Sequence, residues 1–338
     1  MSSVRRIAAR AGVSIATVSR VLNNSPAVSV PTREAVLSVA NRVGYVKGRL
    51  RRAGSASIGF VHTAVRTISH AFDAAVLEGI VRGAEEARHD VLIISLHRDK
   101  SPDETHAQFF GRKGVSGVIL RTTAATRDIC REIAGEGFPH VVLSEQFDEP
   151  YVSYLDGASG PESQRAVEYL IALGHRRIGF AMHNVPDRDH LDRLEGYRHA
   201  LRAAGIQLDE RLVFRQPAKL AGGATVLTMA MNMPDRPTAL FSADPALAIG
   251  LIKKAHELGV RVPQDLSIIG FDDTDLRFSV HPTLTAVCQD ASALGYEAAR
   301  WITRGAVRES LRKTIPTFFE VNGSTAPPCA TNGASAAS

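Results

Sequence analysis

The sequence predicts an α/β protein in which a small all-helical head precedes a larger core of two doubly wound lobes. Three observations predict it. Apolar residues over the first 46 or so positions recur at helical spacing. From Ser57 onward, short apolar runs alternate with amphipathic stretches about eight times. Charge also divides between the two parts. The 338 residues carry a net +5, but residues 1–54 hold ten Lys/Arg against one acid, Glu34, while the remainder is net −4. At roughly 150 residues per domain, the length allows two or three folding units.

In the head, Ile7, Ala8, Ala11, Val13, Val18, Val21 and Leu22 fall at the spacing of two short amphipathic helices. Ser3 is the expected N-cap of the first. Gly12 stands where that helix must end and the chain turn sharply. Ser14 is placed to cap a second helix from Ile15 to about Leu22, with Ala8 permitting close approach and Val13 and Val18 filling the crossing. This is the steric pattern of a helix-turn-helix. Ser29 and Pro31 announce a third helix carrying Ala35, Val36, Val39, Ala40 and Val43, which Gly44 ends. The second helix turns Val18, Val21 and Leu22 inward and offers Ser14, Ile15, Ala16, Thr17, Ser19, Arg20 and Asn23 outward. Arg20 suits guanine O6/N7, and Ile15 and Ala16 suit thymine methyls. Thr17, Ser19 and Asn23 suit phosphates. A plain three-helix bundle explains the apolar pattern but not a net +9 with these groups on one helix, so double-stranded DNA is the expected partner.

The run Ile7-Ala8-Ala9-Arg10-Ala11-Gly12-Val13-Ser14-Ile15-Ala16-Thr17-Val18-Ser19-Arg20-Val21-Leu22-Asn23 closely resembles the headpiece of the lactose/galactose-repressor (LacI/GalR) family of bacterial transcription regulators. The match continues through Val28-Ser29, Thr32-Arg33 and Gly44-Tyr45. In that family a hinge helix follows the Tyr and pushes a Leu into the minor groove. Here the link is Tyr45-Val46-Lys47-Gly48-Arg49-Leu50-Arg51-Arg52-Ala53-Gly54, about four residues short and without the usual Pro-Asn. Leu50 falls at the wedge position when counted back from Ile58-Gly59-Phe60. Gly48 weakens a helix there. Leu50 as an intercalating wedge, and Arg49, Arg51 and Arg52 as a flexible phosphate-binding linker, both stand as readings.

In the core, strands are expected at Ser57–His62, Asp90–Ser95, Gly117–Arg121, His140–Leu143, Arg177–Met182, Thr238–Ser242, Leu266–Gly270 and Thr285–Cys288. Helices are expected near 72–88, 103–112, 125–135, 159–173, 189–204, 222–231, 245–258 and 290–304. Eight such units exceed one ordinary domain, so the chain divides into two lobes near residue 157, with its last stretch crossing back. The expected organisation is a head over 1–46, a linker over 47–56 and a core over 57–325. Within the core, one lobe takes 57–157 and 290–312, and the other 158–289 and 313–322. A disordered Pro/Gly-rich tail follows over 326–338.

The segments Val115-Ser116-Gly117-Val118-Ile119-Leu120, Leu173-Gly174-His175-Arg176-Arg177-Ile178, Arg193-Leu194-Glu195-Gly196-Tyr197, Pro237-Thr238-Ala239-Leu240 and Gly270-Phe271-Asp272-Asp273 extend the resemblance through the core. They imply a two-lobed core like that of periplasmic sugar-binding proteins, with a small polar effector such as a sugar in the cleft. Ligands of open α/β sheets sit beyond the carboxyl ends of the strands, where Arg121 and Asp272 fall. Asp272 is expected to accept hydrogen bonds from hydroxyls, and Asp273 to cap the next turn. The resemblance places Arg193 on the effector, with Gln289 as a polar contact between lobes and Asp156 before the second lobe. Phe72 and Asp73 match an Asn-Pro-Phe-Phe region, where Asp73 exchanges ring stacking for a charge that suits hydroxyls or an amine. Arg121 suits a carboxylate or phosphate. Ala243-Asp244-Pro245 removes an amide ligand that the family usually has, and Pro217–Leu220 lacks its aromatic.

Other classes are weaker. No run of about 18 apolar residues spans a membrane, and the start lacks a secretory apolar region. Cys130, Cys288 and Cys329 are too far apart for a disulfide framework or a metal knuckle, which fits a reducing cytosol. Twelve histidines show no HxxxH or HExxH spacing, so no metal is expected. No cofactor, nucleophile elbow or phosphate loop accompanies Asp272 and Asp273, so no catalysis is expected. A periplasmic-type solute-binding protein would share the core but leave the head unexplained. The expected molecule is a cytoplasmic homodimeric repressor on a near-palindromic operator, and the tail has no leucine heptad to make a tetramer.

Overall fold

The computed structural model describes residues 3–22, 27–42, 56–64, 71–305 and 309–329. The head comprises α1 (Ser3–Ala11), α2 (Ile15–Leu22) and α3 (Val30–Arg42). Its core is Ile7, Ala8, Val18, Val21, Val36, Val39 and Ala40, with Ala11, Val13 and Val28 against it. Gly12 takes φ +65° between the first two helices, and the Val13 N–H closes the end of α1 on the Ala8 carbonyl at 3.1 Å. Ser14 Oγ accepts from the Thr17 N–H at 3.0 Å, the N-cap of α2. Ser3, expected as a cap, lies within α1 as its first residue. Gly44, Asn23, Leu50 and Arg51 lie outside the described residues.

The first half of the core runs β1 (Ala56–His62), α4 (Ala71–Glu86), β2 (His89–Ser95), α5 (Leu96–Asp99), α6 (His106–Lys113), β3 (Val115–Arg121), α7 (Arg127–Gly135), β4 (His140–Leu143) and β5 (Tyr154–Gly157). The second runs α8 (Ser159–Ala172), β6 (Ile178–His183), α9 (Arg188–Ala203), β7 (Val213–Gln216), α10 (Leu220–Met231), β8 (Ala239–Ser242), α11 (Pro245–Glu257), β9 (Ser267–Asp272) and β10 (Thr285–Cys288). Then α12 (Ala291–Thr303), β11 (Arg312–Ile315) and β12 (Phe318–Glu320) follow. One sheet has the order β11-β5-β4-β3-β1-β2 and the other β12-β10-β9-β8-β6-β7. The pairings are parallel except β10 with β12. Both faces of each sheet carry helices, so the central strands are almost wholly buried and read as near-continuous apolar runs. In the first sheet α4 and α12 cover one face, and α6 and α7 the other. In the second, α8 and α9 cover one face, and α10 and α11 the other.

The chain passes between the sheets after β5, after β10 and after β11. Two of these passages are tied together, since Thr317 Oγ1 donates to the Ala158 carbonyl at 2.9 Å. Three expectations need correction here. Residues 313–315, expected with the second lobe, pair in β11 with Leu155–Gly157 of the first sheet. The return passage therefore lies a few residues later. Residues 326–329, expected in a disordered tail, begin as a pinned segment. The Ala326 carbonyl lies 3.0 Å from His175 Nε2 and accepts from Ser267 Oγ at 3.0 Å. Ala56, expected in the linker, opens β1.

The helix α12 returns from the second sheet to lie on α4 at backbone contact. A Cβ on Gly295 would stand 2.0 Å from the Val76 carbonyl oxygen, and one on Gly79 1.9 Å from that of Ser292. Gly295→Ala is expected to force these helices apart and cost about 1–3 kcal/mol in urea unfolding. Gly135→Ala at the end of α7, where a Cβ meets nothing within 4 Å, is the control and should be neutral or mildly stabilising. Equal midpoints for Gly295→Ala and the parent would contradict the close approach.

Candidate functional site

Charged side chains converge between the two sheets, at the carboxyl ends of β3, β8 and β9. Arg121, the last residue of β3, is 6% exposed. Its Nε donates to Asp73 at 3.2 Å, its Nη1 to the Leu143 carbonyl at 3.2 Å, and its Nη2 to Asp187 at 3.4 Å. The Phe72 ring lies 4.5 Å from the guanidinium carbon. Asp73 comes from the first turn of α4, in the same half of the core, whereas Asp187 is the N-cap of α9 in the other half. Arg121 thus spans the two halves.

Asp187 also accepts from the His190 N–H at 3.2 Å and lies 2.5 Å from His190 Nδ1. Burial opposes charge on both groups, but their mutual attraction outweighs it. His190 is pushed up to about 9, and Asp187 is held well below the usual carboxylate range with help from Arg121. Arg193, one turn further along α9, donates to the Ala243 carbonyl at 2.7 Å and lies 3.6 Å from Asp189. Its guanidinium stacks 3.4 Å over the Phe271 ring. Asp244, after β8, caps α11 by accepting from the Ala246 and Leu247 N–H groups. The starts of α4, α9 and α11 therefore hold Asp73, Asp187 with Asp189, and Asp244, where the positive ends of the helix dipoles favour carboxylates.

The cavity that these residues enclose with His183, Pro245 and Asp273 is about 40 Å³, room for a few waters. A larger groove of about 480 Å³ lies beside it, along the starts of α8 and α9, lined by Gln146, Gly160, Arg188 and Asp192 among others. Its lining mixes buried, half-buried and exposed residues and carries few charges beyond Arg188, Asp192 and Glu195, so the charged groups concentrate in the smaller space.

The sequence-predicted residues divide. Phe72, Asp73, Arg121 and Arg193 line the small cavity. Asp272 does not, which corrects the expectation. Its oxygens accept from the N–H groups of Thr274, Leu276 and Arg277 and from the Arg277 guanidinium at 2.8 Å, so it closes the turn after β9. Asp273 holds the reverse role. It lines the cavity, is 7% exposed, and its Oδ1 has no hydrogen-bond partner. Burial, opposed by Arg193 and reinforced by Asp244, Asp189 and Asp272, pushes it up to about 7. Arg121, expected to be open to an anionic ligand, already has its charge balanced by two carboxylates. Asp156 lies behind the cavity, fully buried, accepting from Gln146 Nε2 at 2.6 Å. Gln289 is buried against Gly157 with neither amide atom hydrogen-bonded, and lines neither space. Asp187, Asp189 and His190 escaped the sequence reading, although an Asp three residues before a helical His after Pro186 is an N-cap signal.

On the head, Ser14, Ile15, Ala16, Ser19 and Arg20 are exposed along one side of α2 while Val18 and Val21 are buried. Thr17 is half-buried, with its hydroxyl 2.9 Å from that of Ser14. Ile15 leaves 51% of its surface open on that same side.

Residues 3–47 match the bacterial regulatory proteins of the lacI family, and residues 167–317 the periplasmic binding protein-like domain. The HTH-type transcriptional regulator DegA of Bacillus subtilis is 30% identical over 96% of this chain and 98% of its own length. The chain belongs to the LacI family. The repressor CytR of Escherichia coli is 32% identical over 88% of this chain and 87% of its own. Among solved structures, a CelR–cellobiose complex superposes with TM-score 0.69 at 28% identity, covering 96% of this chain and 100% of that one. A LacI-family regulator of Enterococcus faecium with bound ribose gives TM-score 0.70 at 25% identity, over 80% and 99%. These relatives are transcriptional regulators, and no described helix here is long and apolar enough to cross a membrane.

In this LacI-family chain the junction of the lobes has a defined pH response. Burial, and the neighbouring Asp189 carboxylate across the junction, push Asp156 up to about 8. A carboxyl raised on folding holds a proton that the unfolded chain has released. Its stabilising effect is therefore lost as pH rises from the ordinary range near 4 to the raised value. Asp273 acts with the same sign up to about 7, and His190 between its ordinary range near 6.5 and about 9. Stability of the ligand-free protein is expected to fall between about pH 6 and pH 8, and Asp156→Asn to flatten that slope by at most about 1.4 kcal/mol per pH unit. Urea unfolding across the range measures it; a variant slope equal to the parent's would remove Asp156 from this account.

Proposed function

We propose that this chain is a cytoplasmic, homodimeric transcriptional repressor whose affinity for a near-palindromic operator is set by a small polar effector held between the two core lobes. The observation that carries the reading is the pairing of two sites in one chain. A basic head presents an exposed polar helix face, and the core buries a charged cavity between two sheets. A solute-binding protein has use for the second alone, and the relatives that share both parts are transcriptional regulators.

In this reading α2 enters the major groove. Arg20 forks onto guanine, Ile15 and Ala16 contact thymine methyls, and Ser14, Thr17, Ser19 and Asn23 fix the docking on phosphates. Leu50 and Arg51, in the short link, meet the minor groove and the backbone. In the core, Phe72, Asp73, Arg121 and Arg193 contact the effector, joined by Asp187, Asp189, Asp244 and Asp273. Asp156 and Gln289 stand behind them at the passages between lobes. Relatives with cellobiose and ribose support a sugar-like molecule. Because typical ligand sites need roughly 300–1,000 Å³, the effector enters with the lobes apart. Its binding resets the angle between them, and with it the spacing of the paired heads.

Fluorescence anisotropy on DNA from the gene's own neighbourhood tests the reading. Arg20→Ala is expected to lose about 1–3 kcal/mol on the specific site and little on random DNA. Arg51→Ala is expected to weaken both alike and lower the salt slope by about 1. A parent protein that prefers no such fragment over random DNA would refute the proposal.

A further inference from the structure

Most of the lining of the small cavity is acidic. Asp73, Asp187, Asp189, Asp244 and Asp273 face it against Arg121, Arg193 and His190, and both arginines are already committed to protein acceptors. Four of the carboxylates have a local reason to be there. Asp187 and Asp244 cap helices, Asp73 holds Arg121, and Asp189 accepts from Ser159 Oγ at 3.3 Å. Asp273 has none: among the described residues it closes no turn, meets no cation within hydrogen-bonding range, and its Oδ1 is buried without a partner. A buried, unpaired carboxyl is costly to keep, and the ordinary turn-closing role next to it is filled by Asp272.

The second observation concerns Arg121. It reaches from one half of the core to Asp187 in the other, filling the closed cavity with a flat, multiply donating cation stacked on Phe72. When the lobes part to admit a ligand, that cation leaves Asp187 to His190 alone, and the acidic wall loses one of its three positive charges. Whatever replaces it does best with a positive charge and several hydrogen-bond donors.

We infer that the effector of this cleft is a protonated amine bearing hydroxyls, of the amino-sugar or aminocyclitol class, with its ammonium against Asp273. The inference rests on the proposed reading that the cleft binds an effector which controls DNA binding. The hydroxyls go to Asp73, Asp187 and Arg193, and the ring to Phe72. Neutral sugars leave Asp273 unpaired, and sugar phosphates meet a wall of like charge.

Calorimetric titration of the full-length protein slightly below neutral pH tests it, with D-glucosamine, D-galactosamine, D-mannosamine and an aminocyclitol set against glucose, galactose, mannose, ribose and glucose 6-phosphate. At least one amine is expected to bind about tenfold or more tightly than its hydroxyl counterpart. Asp273→Asn is expected to bring that ratio down to near one. Its thermal midpoint checks that it folds, and the parent's amine-to-hydroxyl ratio decides the matter without it. Equal or tighter binding of the neutral or phosphorylated compounds, or binding of no amine, overturns the inference. Operator anisotropy on the same preparation tests the underlying reading separately, because a protein that binds its operator and answers to a neutral sugar keeps that reading and loses this one.

Discussion

The core depends on how one buried guanidinium is neutralised. Arg121 is costly to hold at 6% exposure without acceptors, and its three partners come from three places: its own half of the core at Asp73, the end of β4 at Leu143, and the opposite half at Asp187. Desolvation makes such a pair a poor source of net stability, yet breaking it by removing one partner is expensive. The bond to Asp187 is therefore less a glue than a condition. It holds the halves together only while nothing better is offered to either side. The Asp156 and Asp189 carboxyls meet across the same junction with the opposite tendency, since they repel unless they share a proton. Attraction and repulsion sit within two turns of α9, which makes the start of that helix the place where closure is decided.

Much of the fold was legible because parallel strands buried on both faces leave continuous apolar runs. Val118-Ile119-Leu120 and Ile268-Ile269-Gly270-Phe271 can hardly be anything else. The strands that escaped are those without that signature. Tyr154–Gly157 in β5 ends on Asp156 and Gly157, Arg312–Ile315 in β11 is a mostly exposed edge, Val213–Gln216 in β7 is apolar over only two residues, and β12 is three residues long. The limits of residues 313–315 and 326–329 were misjudged for a related reason. Composition marks polar, Pro-rich chain as loose, but a few hydrogen bonds to His175 and Ser267 pin it.

The cleft was legible in part. Position at strand ends found Arg121 and the neighbourhood of Asp272, but could not say which of two adjacent carboxylates turns inward. That choice follows from Arg277, five residues on, whose guanidinium and backbone N–H bind Asp272 and leave Asp273 to the cavity. The pairing of Arg121 was equally invisible, since it depends on Asp73 and on Asp187, 66 positions away. In the head the opposite holds. Short-range periodicity and capping decide nearly everything there, so Ser14, Gly12 and the exposed face of α2 fell where the sequence put them.

A repressor of this family links two equilibria that share no atoms: lobe closure in the core and docking of the heads. For an effector to shift the second it must bind the open and closed arrangements unequally. The closed, empty cleft is already electrostatically paired by Arg121, so a ligand that merely added contacts would compete with a bond the protein makes for itself. A ligand that supplies what Arg121 cannot, a partner for Asp273 as well as for Asp187, fixes a different separation of the halves. On the proposed reading, the unpaired carboxyl would give the cleft two distinguishable closed states, one empty and one filled. Without that difference, effector binding would leave the spacing of the heads unchanged.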